Sequence, residues 1–221
     1  MDSDPTREAP SSNTVRLAPQ QKRSREARAR IMAAAEAVLR DGGADGFSMA
    51  AVSAAADMPI GNIYRRFESK DDLLQAIKDV VSGRITNGIA ECLTASRHDT
   101  LQEFFTAFAG AVALIFARDE HLNRTLYDPR LANLNLARSG QAARSSIFEI
   151  FQSGLDGYLV GLDERAKTPV TRVSFSIVMN AAAFKVRDND PISAGISWPE
   201  LAAEFGGAAY SYVMSQLKPT K

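Results

Sequence analysis

Between residues 60 and 70 the chain sets an amide, a phenol and three cations close together: Asn62, Tyr64, Arg65, Arg66 and Lys70. That set suits the reading of a nucleic acid. An Asn amide can pair bidentately with adenine in the major groove. A Tyr ring can meet a thymine methyl or a sugar while its hydroxyl meets a phosphate, and Arg and Lys neutralise phosphates. Gly61, beside them, costs a helix about 0.5–1 kcal/mol against Ala, and in return lets the backbone come close to another surface. Pro59 and Ile60 come just before, at positions that would face the same partner. Upstream, Lys22, Arg23, Arg25, Arg28 and Arg30 form a basic cluster. From it Arg23, Arg25 and Arg28 can follow adjacent phosphates or enter a minor groove. A solvated helix face is the plain alternative for the cluster, and Lys70 can equally cap or pair locally.

These side chains need helices to aim them. Ala27, Ile31, Ala34, Ala35 and Val38 recur at helical spacing, and Gly42-Gly43 should stop that helix. Ser48 is a good N-cap for a short second helix, with Phe47 able to staple onto Val52. That helix should end at residues 54–56. Asp57 follows where the chain must turn, and Asp tolerates the left-handed conformation better than most residues. Pro59 suits the first position of a third helix over residues 60–67. Ser69 caps a fourth, with Asp71 and Asp72 in its first turn and an expected end near residues 88–90. Two short helices joined by a tight turn and backed by a preceding helix make a helix-turn-helix. Ser48 and Met49 open the supporting helix, which would cross the DNA backbone. Phe47, Val52, Ile63 and Phe67 read as core.

The remainder stays helical. Residues 104–117 are apolar nearly all round, which predicts a buried central helix. Residues 119–140 read as a short helix and a loop, and later helices are marked by Ile147–Leu159, Val173–Phe184 and Leu201–Leu217. The expected fold is all-α, about nine helices. It divides into a tail over 1–22, a helix-turn-helix domain over 23–85 and a larger helical domain over 86–221. Residues 16–70 hold ten Lys/Arg and six Asp/Glu, a net of +4, although the 221-residue chain is formally neutral. The local field rather than the total is what DNA would meet.

Residues 31–74, and above all Phe47-Ser48-Met49 with the run from Ile63 to Lys70, resemble the DNA-binding domain of the TetR family of regulators. The resemblance implies a transcriptional regulator, a repressor released by a small-molecule effector, acting on a palindromic double-stranded operator as a homodimer. It implies that the larger domain binds the effector, and that the last two helices, about 169–187 and 198–217, form the dimer. In this chain Phe205, Gly206, Ala209, Tyr212, Val213 and Leu217 would make that interface. Phe104, Phe108, Phe116, Tyr127, Phe151, Phe175, Met179 and Phe184 are candidates for an apolar pocket, with His121 or Asn180 orienting the ligand. Ordinary core packing is the competing account of each. The family usually has Gly where Asp57 stands, Ser where Pro59 stands and His where Arg66 stands, which suggests an unusual operator.

An enzyme is the rival class. Asp119-Glu120-His121 and His98-Asp99 carry acid–base groups, but two histidines without a helical His-Glu pattern make a weak metal signal. No catalytic residue, metal or cofactor is expected. The second rival is a binding module that has lost DNA reading, which Pro59 and Ile60 would explain. Cys92 alone forms no intrachain disulfide. No apolar stretch near the roughly 20 residues of a membrane span stands out, and the first residues form no apolar leader, so a cytoplasmic protein without membrane partners is expected.

Overall fold

The computed structural model describes residues 19–187 and 195–217, and the expectations for the first 18 residues and for the link over 188–194 lie outside them. Among the described residues there are nine α-helices, two 3-10 turns and no strand, so the fold is all-α as expected.

Helices α1 (Pro19–Gly46), α2 (Met49–Ala55) and α3 (Ile60–Tyr64) make the N-terminal unit. Ile31, Ala35 and Leu39 on α1 are fully buried against Phe47, Val52, Ile63 and Phe67. The chain bends at Gly43 (φ 60°) rather than stopping there, and helix resumes to Gly46. Ser48 caps α2 as expected, its Oγ accepting from the Ala51 N–H at 3.1 Å. Asp57 takes φ 46°, the only non-Gly residue in the left-handed region among those described. The turn it makes is tied down by Arg30, which donates to the Ala56 and Asp57 carbonyls at 3.0 and 2.7 Å. Pro59 stands one place outside α3, and α3 closes at Tyr64 instead of Phe67.

Helix α4 (Lys70–Ala95) leads out of this unit; at 26 residues it spans about 39 Å. Ser69 accepts from the Asp72 N–H while the Asp72 carboxylate accepts from the Glu68 N–H, both at 3.0 Å. The helix passes through Gly88 and ends five residues beyond the expected stop. Gly88 is there for packing: a Cβ would stand 2.7 Å from Ile115 Cδ1 on the next helix.

That next helix, α5 (Leu101–Arg118), is the central one, opened by a Thr100–Glu103 capping box. It is also, among the described residues, the one helix long and apolar enough to cross a membrane, by length and composition only; half of it is buried inside the bundle. Around it lie α6 (Glu120–Leu126), α7 (Leu134–Leu155), α8 (Glu164–Arg187) and α9 (Trp198–Leu217). Phe104, Phe105, Phe108, Phe151 and Phe175 interlock in the core with ring centroids 4.6–6.1 Å apart. Arg40 of α1 grips Asp119 at the head of α6 with two hydrogen bonds, 2.9 and 2.6 Å, so the N-terminal unit is joined to the bundle by more than the run of α4.

Candidate DNA-binding interface and effector cavity

The surface around α3 is open. Pro59, Gly61 and Arg65 are exposed, Ile60 and Tyr64 are 42% and 49% exposed, and Asn62 is half-buried. Ile60 and Tyr64, four residues apart, share one side of α3. Arg23, Arg25 and Lys70 are exposed and form no ion pair among the described residues; Arg28 lies 4.7 Å over the Phe67 ring and Lys70 5.5 Å over Phe47. Arg28 and Lys70 are thus held over rings of the unit's core with no ion pair among the described residues.

Three of the expected contact residues are engaged elsewhere. Met49 is buried at 7% exposure and packs in the core, because the helix that Ser48 caps turns its first residue inward. Arg66 is half-buried and donates from Nη1 to the Asn62 carbonyl at 3.0 Å, so it closes the C-terminal end of α3; its Nε is buried with no hydrogen-bond partner among the described residues. Ser48 spends its hydroxyl on capping. Arg30, which sequence reasoning left in the general basic cluster, locks the turn between the two helices.

A second feature is a cavity of about 620 Å³ between α4, α6, α7 and α8. Of the candidate pocket residues, Phe116, Tyr127, Met179, Asn180 and Phe184 line it. Phe104, Phe108, Phe151 and Phe175 do not: they pack on one another in the aromatic core. His121 is exposed on α6 and is absent from the lining. Sequence reasoning missed the cations. Lys78 from α4, Arg144 from α7 and Arg187 from α8 all line the cavity. Lys78 is 6% exposed, with its ammonium 4.0 Å from the centre of the Tyr127 ring. Burial pushes its pKa down to about 8 and pushes that of Tyr127 up. Arg144 donates to Asn180 Oδ1 at 3.0 Å, and burial lowers its pKa. The signal was present: Leu74, Lys78, Val81 and Ile85 sit at one-face helical spacing, with a Lys in an otherwise apolar stripe.

The expected dimer residues divide. Gly206, Ala209 and Val213 face inward and are buried within the chain; a Cβ on Gly206 would come within 2.9 Å of Ala109 Cβ. They therefore seat α9 on α5 instead of offering a surface. Phe205, Tyr212 and Leu217 are half-buried. Phe205 shares a surface groove with Val173, Ile177 and Phe184, where Val173 and Phe184 are 42% and 56% exposed. Of the groups of the enzyme reading, Asp119 is held by Arg40, which depresses its pKa, and the His98 Nδ1 lies 3.0 Å from the Tyr158 hydroxyl. Among the described residues no three His, Cys, Asp or Glu gather as a metal site would need.

Residues 31–77 match the family model described as bacterial regulatory proteins, tetR family. The N-terminal domain is a TetR-family DNA-binding domain. The match spans α1 from Ile31 through α2, α3 and the first turns of α4, and so includes the exposed surface around α3. Beyond it, the likeness is one of fold. FadR of Bacillus subtilis, a transcriptional regulator solved in complex with stearoyl-CoA, is similar at 17% identity over 84% of this chain and 98% of its own, with a TM-score of 0.64. PfmR of Thermus thermophilus, a TetR-family transcriptional regulator, is similar at 18% identity over 86% and 100%, with a TM-score of 0.57. No curated protein matches the chain in sequence. The TetR-type helix-turn-helix thus stands on a helical domain shared in fold with transcriptional regulators.

Proposed function

We propose that this TetR-type chain is a ligand-responsive repressor, binding a palindromic operator as a homodimer and released by a small molecule. One observation carries the reading: the exposed reader and the cavity hang on the same helix. Helix α4 starts directly behind the recognition segment and supplies Lys78, Ser82 and Ile85 to the cavity wall. Asn62, Tyr64 and Ile60 would meet base edges, with Pro59 and Gly61 allowing close approach. Arg65, Lys70 and the cluster of Arg23, Arg25 and Arg28 would meet phosphates. Ser48, Met49 and Arg66 would set the helices rather than read the sequence.

A single recognition helix reads few base pairs, so two half-sites are needed for useful specificity. The unburied side of α8 and α9 supplies the surface for pairing. Val173 and Phe184 are exposed there, and Gly207, Ala208 and Ser211 give α9 a flat outer face. Ligand bound beside α4 would move it and change the spacing of the two readers. The coupling is reciprocal, so operator DNA weakens effector binding by the same factor. Such a regulator works in the cytoplasm. That a regulator of this fold was solved with stearoyl-CoA supports a ligand role for the helical domain.

Fluorescence anisotropy against the DNA flanking the protein's own gene, over a salt series with unrelated DNA as control, tests the reading. Tight, salt-sensitive binding to that DNA at one dimer per site is expected. Equal and weak binding to both DNAs would favour a module that no longer reads DNA.

A further inference from the structure

The cavity holds charge that nothing in the described chain neutralises. Lys78 is more than nine-tenths buried, lines the cavity, and has neither a hydrogen bond nor an ion pair among the described residues. The nearest recorded partner of its ammonium is the face of Tyr127, which attracts a cation without cancelling it. Its stem runs beside Gly140 of α7. The other cations on the lining are Arg144 from α7 and Arg187 from α8. Arg144 is bonded to the neutral Asn180 amide and lies over the Phe175 ring. Asp128 is the one carboxylate on the lining, and its oxygens are taken by Arg130 at 2.6–3.1 Å. A buried ammonium kept without a counter-ion is an expensive arrangement unless something supplies the anion.

The rest of the wall is hydrocarbon: Ile85, Phe116, Leu136, Ile147 and Met179. A volume of about 620 Å³ is in the range of sites that enclose drug-sized molecules. A simple inorganic anion would leave that wall in contact with water, and a neutral hydrocarbon would leave Lys78 unpaired. Only a molecule with both parts satisfies both.

We propose that the cavity takes an amphipathic organic acid, its carboxylate against Lys78 and Arg144 and its hydrocarbon part against Phe116, Leu136, Ile147 and Met179. This rests on the reading of the larger domain as a ligand-binding domain, and names the chemical class of that ligand. Lys78 acts as the head-group anchor and Tyr127 as the ring that holds it in place.

The test is calorimetric titration of the full chain with two matched pairs of probes, decanoate against decanol and 2-naphthoate against 2-naphthalenemethanol. The single tryptophan, Trp198, gives an optical readout, because its ring stacks on Phe116 of the cavity wall at 6.1 Å. At least one acid should bind about tenfold or more tightly than its neutral counterpart. Lys78→Met should remove that advantage, and Arg144→Gln should reduce it. Far-ultraviolet circular dichroism establishes that each variant is folded. Equal binding of acid and alcohol, an acid affinity indifferent to both substitutions, or no acid bound up to about 1 mM overturns the assignment. DNA takes no part in this titration. An acid that binds through Lys78 yet leaves operator affinity unchanged therefore upholds the cavity assignment and refutes the effector reading.

Discussion

Lys78→Met should make the ligand-free protein more stable, which is unusual for a substitution at a buried position. The folded state must keep the ammonium charged at neutral pH although burial has brought its pKa from an ordinary 10.5 to about 8. At pH 7 that costs about 3 kcal/mol relative to water. Loss of the contact with the Tyr127 ring gives back about 1 kcal/mol, while Met retains the volume of the stem. The net gain is about 2 kcal/mol, or roughly 4–8 °C in Tm for a chain of this size. The sign with pH follows from proton counting. The folded pKa lies below the unfolded one, so between about 8 and 10.5 the unfolded chain binds more protons, and wild-type stability rises with pH relative to the variant. Urea unfolding of both proteins, ligand-free, from pH 7 to 10.5 measures this. The variant should lead at pH 7, and the lead should shrink across that window. A variant less stable than wild type at pH 7, or a difference indifferent to pH, would mean that Lys78 is solvated or paired, and the burial argument would fail.

Asn62→Ala should lower operator affinity by about 1–3 kcal/mol and relax sequence preference at one base position, as read by selection from random DNA. Arg65→Ala should weaken binding to every sequence alike and flatten the slope of log affinity against log salt by about one unit. On α9, Gly207 meets nothing within 4 Å inside the chain; Gly207→Arg should leave a folded monomer by analytical ultracentrifugation, whereas Gly206→Arg should unfold the chain, since Ala109 and the Phe105 carbonyl occupy that space. Asp119→Asn should cost about 1 kcal/mol, because the Arg40 pair is partly solvated. The Arg40 guanidinium holds the Asp119 carboxyl below its ordinary 3.8, so this stability is present at neutral pH and disappears as pH falls through the depressed value. Urea midpoints of wild type and Asp119→Asn should therefore converge at acid pH.

Local signals in the sequence were enough for the reader and much of the bundle. Ser48, Ser69 and Asp57 each act within a few residues of themselves, so their caps and left-handed turn were legible, and the structure has all three. Gly88 misled because a glycine looks the same whether it ends a helix or clears space for a neighbour; only the approach of Ile115 distinguishes the two. The pocket was half legible for the same reason. Phe108 and Phe116 lie at similar apolar positions on α5, but α7 and α8 close over the first and leave the second on a cavity wall. Which face of α9 turns inward was set by its packing on α5. Gly206, Ala209 and Val213 thus became core, although their residue types suit a tight interface equally well.

Helix α4 ties these observations into one device. Lys78 comes eight residues after Lys70 on a continuous helix, about 12 Å along its axis. A side chain at the first turn of α4 would touch phosphate, and one two turns later would touch the effector. A ligand shifts an equilibrium only by its difference in affinity for the two states, and each tenfold loss of operator binding requires about 1.4 kcal/mol of such difference. Apolar contact alone adapts to small movements of a wall and discriminates weakly. A buried cation does not: its interaction with a carboxylate falls steeply with distance in a medium that screens poorly. Placing the anchor charge on the helix that also carries the reader makes the ligand's binding energy sensitive to where that helix lies. On the proposed reading, the coordinate that sets effector affinity and the coordinate that sets the spacing of the two recognition helices would then be the same.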